Sequence, residues 1–261
     1  MSRKNKEKLS KAKGGKFFVI FSCFISIALC VALADLFSTF ITVGSFAGVN
    51  GGKINAYSIY AVELHQSSIK SSALEQATVV KKIGGAGYVW ESEGVFYVIA
   101  SAYIEENDAT KVKENLIESG YTAEILKIDF CEISIGRNYS AEELSALSSA
   151  LNLFKNTYKN LYDISISLDT LILTETQCRL EIANIQSDVS KKKSDFEALF
   201  NSKLTPNLLQ IKLSMNSLST LIQQLIDYVE TTTQPFGSKM KYNYMEILLL
   251  HKTLSLQLTN L

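Results

Sequence analysis

The sequence predicts an α+β chain: an N-terminal transmembrane helix, a compact βαββαβ domain and a C-terminal antiparallel helical bundle or coiled coil. Three observations carry this. An uncharged apolar run follows a basic N-terminus. Between about Tyr57 and Ile128, short strand patterns alternate with helix patterns. From Arg137 to Thr205 there is no Gly and no Pro, and apolar residues recur at helical spacing. The segments follow: a basic tail over 1–16, a span over 17–43, a linker over 44–55, the sheet domain over 56–130 and the helical region over 138–261.

Phe17 to Ala34 carries no charge. At 1.5 Å per residue it nearly crosses a hydrocarbon core of roughly 30 Å. Beyond Asp35, Leu36, Phe37, Phe40, Ile41 and Val43 extend the apolar run. Seven basic groups and one acid precede it, so the positive-inside rule holds the N-terminus in the cytoplasm. With no second span, the remainder is expected outside, as a single-pass protein of the cell membrane. Ala32-Leu33-Ala34 resembles a signal-peptidase site, but the apolar run beyond it favours an uncleaved anchor. Gly48, Gly51 and Gly52 make a tether.

Taking the tail away from the 26 basic and 26 acidic groups leaves 19 and 25, about −6 for the body. An acidic body is a poor match for nucleic acid, whose phosphates need clustered Lys and Arg. Cys131 and Cys178 leave two readings open, a bridge or isolated thiols acting as small hydrophobes.

Tyr57 to Leu64, rich in β-branched and aromatic residues, reads as the first strand. Ser72-Ala73-Leu74-Glu75 reads as a capping box; Ala73, Ala77 and Val80 share one face of the helix it opens, and Gly84-Gly85 stops it. Gly87 to Glu91 is the second strand, Ser92-Glu93-Gly94 a turn, and Val95 to Ser101 the third strand. Asn107 or Asp108 caps a second helix with Ala109, Val112 and Leu116 inward, ended by Gly120; Thr122 to Ile128 is the fourth strand. This ferredoxin-like order predicts a four-stranded antiparallel sheet with two helices on one face and the other face open.

The block resembles a SPOR domain, the sporulation-related repeat of bacterial cell-envelope proteins. The first half-motif of that family, roughly Y-x-V-Q-L-G-S-F, is matched by Tyr60-Ala61-Val62-Glu63-Leu64-His65-Gln66-Ser67. The second, roughly Y-R-V-x-V-G-P-F, is matched by Phe96-Tyr97-Val98-Ile99-Ala100-Ser101-Ala102-Tyr103. The resemblance covers about a quarter of the chain. It implies recognition of peptidoglycan glycan strands stripped of stem peptides at a division septum. Glu63 stands where the family has Gln, His65 where it has Gly, Tyr97 where it has Arg, and Ser101-Ala102 where it has Gly-Pro.

By strand alternation, Glu63 and His65 point to the open face, as do Tyr97, Ile99 and Ser101, with Trp90 beside them. Tyr60, Val62 and Leu64 then face the helices. Trp90 and Tyr97 stack on sugar rings in this reading and Glu63 accepts sugar hydroxyls. In the competing one, Trp90 caps the core and the sheet binds a protein.

In the C-terminal half, Ser140-Ala141-Glu142-Glu143 starts a helix whose seam is Leu144, Leu147, Leu151, Phe154, Tyr158, Leu161, Ile164, Leu168 and Ile172. The phase breaks near Thr174–Cys178, and Ile182, Ile185, Val189, Phe196 and Leu199 follow. Pro206 opens a helix with Leu208, Ile211, Met215, Leu218, Ile222, Leu225 and Val229. After Pro235-Phe236-Gly237, the last helix carries Tyr244, Ile247, Leu254 and Leu258. Short connections favour antiparallel neighbours in a bundle of three or four helices. Consecutive Leu248, Leu249 and Leu250 leave apolar surface for a homodimer. His251 reads as a partly exposed helix residue and Lys191-Lys192-Lys193 as a solvated face.

No phosphate-cradling glycine loop, zinc pattern or Ser/His/Asp arrangement stands out. The expectation is a non-enzymatic protein without cofactor or metal, in sporulation or cell division. Its partners are glycan strands or other envelope proteins.

Overall fold

The computed structural model describes residues 53–135 and 139–258. The expected span over 17–43 lies outside them; among the described residues no helix is long and apolar enough to cross a membrane. In chain order the elements are β1 (Lys53–Ile54), β2 (Tyr57–Ser67), α1 (Lys70–Lys82), β3 (Tyr88–Ser92), β4 (Val95–Tyr103), α2 (Glu106–Glu118), β5 (Glu124–Phe130), β6 (Ile133–Ser134), α3 (Ala141–Asp169), α4 (Glu175–Phe200), α5 (Pro206–Ile226) and α6 (Phe236–Gln257).

The four-stranded sheet has the order β3-β4-β2-β5, every neighbour antiparallel. That is the βαββαβ arrangement the sequence predicts. Ala73, Ala77 and Val80 of α1 pack on Val98 and Ala100 of β4. Ala109 and Leu116 of α2 are buried in the main core. The β3–β4 turn is tight because Glu93 and Gly94 both take positive φ (51° and 78°), the backbone a two-residue hairpin turn with the sheet's own twist requires.

Several local expectations are corrected. The Ser72 box is not used: α1 begins at Lys70 behind Ile69, with no side-chain cap. Instead the Ser67 hydroxyl accepts the Ile69 N–H at 3.0 Å. Glu105, not Asn107 or Asp108, precedes α2. In both cases the preceding strand runs longer than its apolar pattern and delivers the chain to the helix earlier. The expected linker contains β1, which pairs with β6 across the sheet domain. Cys131 is exposed and Cys178 buried, both as free thiols.

The helical region is a four-helix bundle with α3–α4, α4–α5, α5–α6 and α6–α3 packed side by side. Its starts are legible in the sequence. Ser140 and Glu143 form a reciprocal capping box, as do Thr174 and Gln177, and Thr205 caps α5 with Pro206 at the first helical position. The inner seams are those expected, from Leu147 through Ile164, Ile182 through Phe196, and Leu208 through Leu225. The seam ends are not. Ile172 and Val229 are exposed, because α3 stops at Asp169 and α5 at Ile226, leaving both residues in connections.

On α6, Leu248 is buried and Leu250 packs against the core, so this run is spent largely inside the protein. Lys191 and Lys192 pair with Asp195 and Asp188 along α4.

Sheet and bundle share one core. Buried residues from Ile59 and Ile99 of the sheet through Phe154, Met215 and Tyr244 of the bundle form a single apolar cluster. The second face of the sheet is not open, as alternation alone suggests. α6, antiparallel beside α3, lies across it.

Candidate functional site

The seam between sheet and α6 is where four of the six expected site residues fall. At one end, Tyr57 Oη lies 2.8 Å from His251 Nδ1, and Tyr57 stacks on Phe130 with ring centroids 4.3 Å apart. His251 also stacks on Phe154 of α3, at 5.5 Å and 17°. His251 is therefore buried rather than partly exposed. Burial, reinforced by the nearby Lys155 charge, drops its pKa to about 3.

Further along, β3 begins only at Tyr88, opposite Ile99, so that side of β4 has no strand beside its residues after Ile99. Its backbone groups are completed otherwise. Ala86 N–H donates to the Ala100 carbonyl at 2.6 Å. Ala102 N–H donates to Tyr244 Oη at 3.4 Å, and Tyr158 Oη donates to the Ala102 carbonyl at 3.3 Å. Two bundle tyrosines thus satisfy a strand edge that would otherwise be buried unpaired. At the far end Ser238 Oγ and Lys241 Nζ donate to the carbonyls of Gly85 and Gly84. Lys241 also pairs with Asp169 at 2.6 Å.

The six expected site residues do not share one surface. Register shifts in β2 lie between Val62 and Glu63 and between Glu63 and His65. They pair Glu63 with Ile99, His65 with Val98 and Ser101 with Val62. Cross-strand partners share a face, and Val98 belongs to the α1 side. His65 and Ser101 are therefore turned to the side of α1 and α2. Glu63, Trp90, Tyr97 and Ile99 stay on the side of α6.

Ile99 is fully buried. Ser101 Oγ donates to Tyr103 Oη at 2.9 Å. Glu63 is 8% exposed, and burial followed by the Glu124 charge raises its carboxyl pKa. One Glu63 oxygen and His65 Nε2 are buried without a hydrogen-bond partner among the described residues. Trp90 and Tyr97 remain half-buried as register partners, rings 6.2 Å apart, with Lys252 Nζ of α6 5.6 Å from the Trp90 ring.

The residues the sequence reading missed are the ones that close this seam: Tyr57, His251 and the hydroxyls of Tyr158 and Tyr244. One signal was present. β2 is apolar on both parities, Ile59 and Ala61 on one, Tyr60, Val62 and Leu64 on the other, which is the mark of a strand covered on both faces.

Comparison with protein-family models, with curated proteins and with solved structures finds no match to this chain.

Proposed function

We propose that this is a non-enzymatic protein scaffold of the cell envelope, anchored by its N-terminal apolar segment and presenting one rigid sheet-and-bundle body to other envelope proteins. The observation that carries the reading is α6 lying on the face that glycan recognition would use. Buried Ile99 and the Tyr57–His251 contact hold it there. A body closed by shared apolar core suits a platform better than a module that grips a polymer across a bare sheet.

A second reading, septal glycan recognition by a divergent SPOR-like domain, retains one favourable observation. Trp90 on the edge strand β3 and its register partner Tyr97 on β4 stay half-exposed as an aromatic pair, a surface on which a sugar ring can stack. Co-sedimentation of the full chain with amidase-treated cell-wall sacculi separates the two. The scaffold reading expects no pelleting above background and septal localisation unchanged in Trp90→Ala and Tyr97→Ala. Pelleting that either substitution abolishes would overturn it in favour of glycan binding.

A further inference from the structure

Two lysines from distant parts of the chain meet over one tyrosine ring. Lys81, in the last turn of α1, has its Nζ 4.5 Å from the centre of the Tyr242 ring on α6. Lys239, one turn into α6, has its Nζ 5.1 Å from the same ring and 5.9 Å from that of Tyr228. Tyr88, at the start of β3, packs on Tyr242 with centroids 5.1 Å apart. All five side chains are half-buried.

Neither lysine is simply trailing in solvent. Lys82, the next residue, is exposed, whereas Lys81 turns inward and lays its stem on Gly87, where a Cβ would come within 2.5 Å of Lys81 Cγ. Lys239 stands near the positive end of α6, whose first turn holds no acid to balance it. A single ring face attracts a cation, but two cations at one ring repel each other. Burial, then the Lys239 charge, lowers the Lys81 pKa, and burial lowers that of Lys239.

Among the described residues neither ammonium makes a hydrogen bond or an ion pair, and neither do the hydroxyls of Tyr88 and Tyr242. Burial pushes the Tyr88 pKa up to about 12 and raises that of Tyr242, so both hydroxyls keep their protons and can donate to an anion. Four unused donors, two of them charged, thus converge from α1, β3 and α6. Glu246, one turn beyond Tyr242, acts on both lysines without pairing with either. Two positive charges and one negative leave room for one negative charge.

We propose that this corner binds the singly charged phosphate diester of a polyol, carried by a lipid headgroup or free in solution. Lysine ammoniums suit a tetrahedral phosphate as point charges, where a planar carboxylate would call for the fork of an arginine. Lys81, Lys239 and the two hydroxyls donate to the non-bridging oxygens, and Glu246 accepts a hydroxyl of the polyol. The site goes beyond the scaffold reading and does not depend on it.

Two probes of the full chain in non-ionic detergent test this and separate the sources. Calorimetric titration with glycerophosphoglycerol reads the free diester. Native mass spectrometry from mixed micelles counts retained phosphatidylglycerol. Saturable binding of the soluble diester supports a free ligand; retained lipid without it supports a headgroup. Lys81→Gln and Lys239→Gln should each weaken binding of the active probe about tenfold, as expected for one lost charge-assisted hydrogen bond. Glu246→Gln should tighten it, a gain that damage to the fold would not produce. Sodium acetate should not compete. Binding of neither probe overturns the proposal. So does binding that both lysine variants leave unchanged, binding that Glu246→Gln fails to tighten, or equal competition by acetate.

Discussion

Replacing His251 should change the pH dependence of stability in a defined direction. The ring is buried against Tyr57, Phe130 and Phe154, and its pKa falls to about 3. In the unfolded chain it returns to about 6.5. Between these values the unfolded state binds the extra proton, so folding is penalised as pH falls from about 6.5 toward 3 and is unaffected above 6.5. The slope approaches about 1.4 kcal/mol per pH unit, and the whole window amounts to roughly 5 kcal/mol.

The clean perturbation is Tyr57→Phe with His251→Phe. Removing both partners of a buried hydrogen bond is nearly neutral, whereas His251→Phe alone strands the Tyr57 hydroxyl and costs about 1–3 kcal/mol at pH 7. Urea unfolding of the full chain in detergent, at unit steps from pH 7 to pH 4, reads the effect. The double variant should match wild type within about 1 kcal/mol at pH 7 and pull ahead of it progressively below pH 6. Other carboxyls titrate in this window, but they titrate in both proteins, so the difference isolates the histidine. Parallel acid limbs for the two proteins would refute the reasoning.

Two further outcomes follow from the seam and the sheet. Tyr244→Phe and Tyr158→Phe should each cost about 1–3 kcal/mol, since each leaves an Ala102 backbone group buried without its partner. Amide hydrogen exchange separates them: Ala102 N–H should exchange faster in Tyr244→Phe than in Tyr158→Phe, and equal acceleration counts against the assignment. Gly87→Ala should destabilise by about 2 kcal/mol or more, read as a lowered midpoint of thermal unfolding. Gly87 has φ +54°, and a Cβ there would run into the Ala77 carbonyl oxygen of α1. An unchanged midpoint would mean that α1 can move away from β3 at little cost.

Much of the local structure was legible because its causes are local. Ser140 with Glu143, and Pro206 behind Thr205, mark helix starts through bonds spanning three residues. Where a local signal failed, a neighbouring element had prevailed. The Ser72 box is chemically sound, yet β2 continues to Ser67 and α1 starts two residues before it. The six site residues were chosen by strict alternation, and alternation fails at a bulge. The shifts around Glu63 send His65 and Ser101 to the opposite side from Ile99, and nothing in the run of letters marks an extra residue.

By itself the sequence determined the α+β class, the order of strands and helices, and the inward stripes of the bundle. Periodicities of two and 3.6 are written residue by residue. Only the tertiary structure decided that α6 covers the sheet's second face and that His251 meets Tyr57 194 positions away. Those outcomes depend on which apolar face meets which. That is settled by summed burial over distant segments, a quantity that no short window of sequence contains.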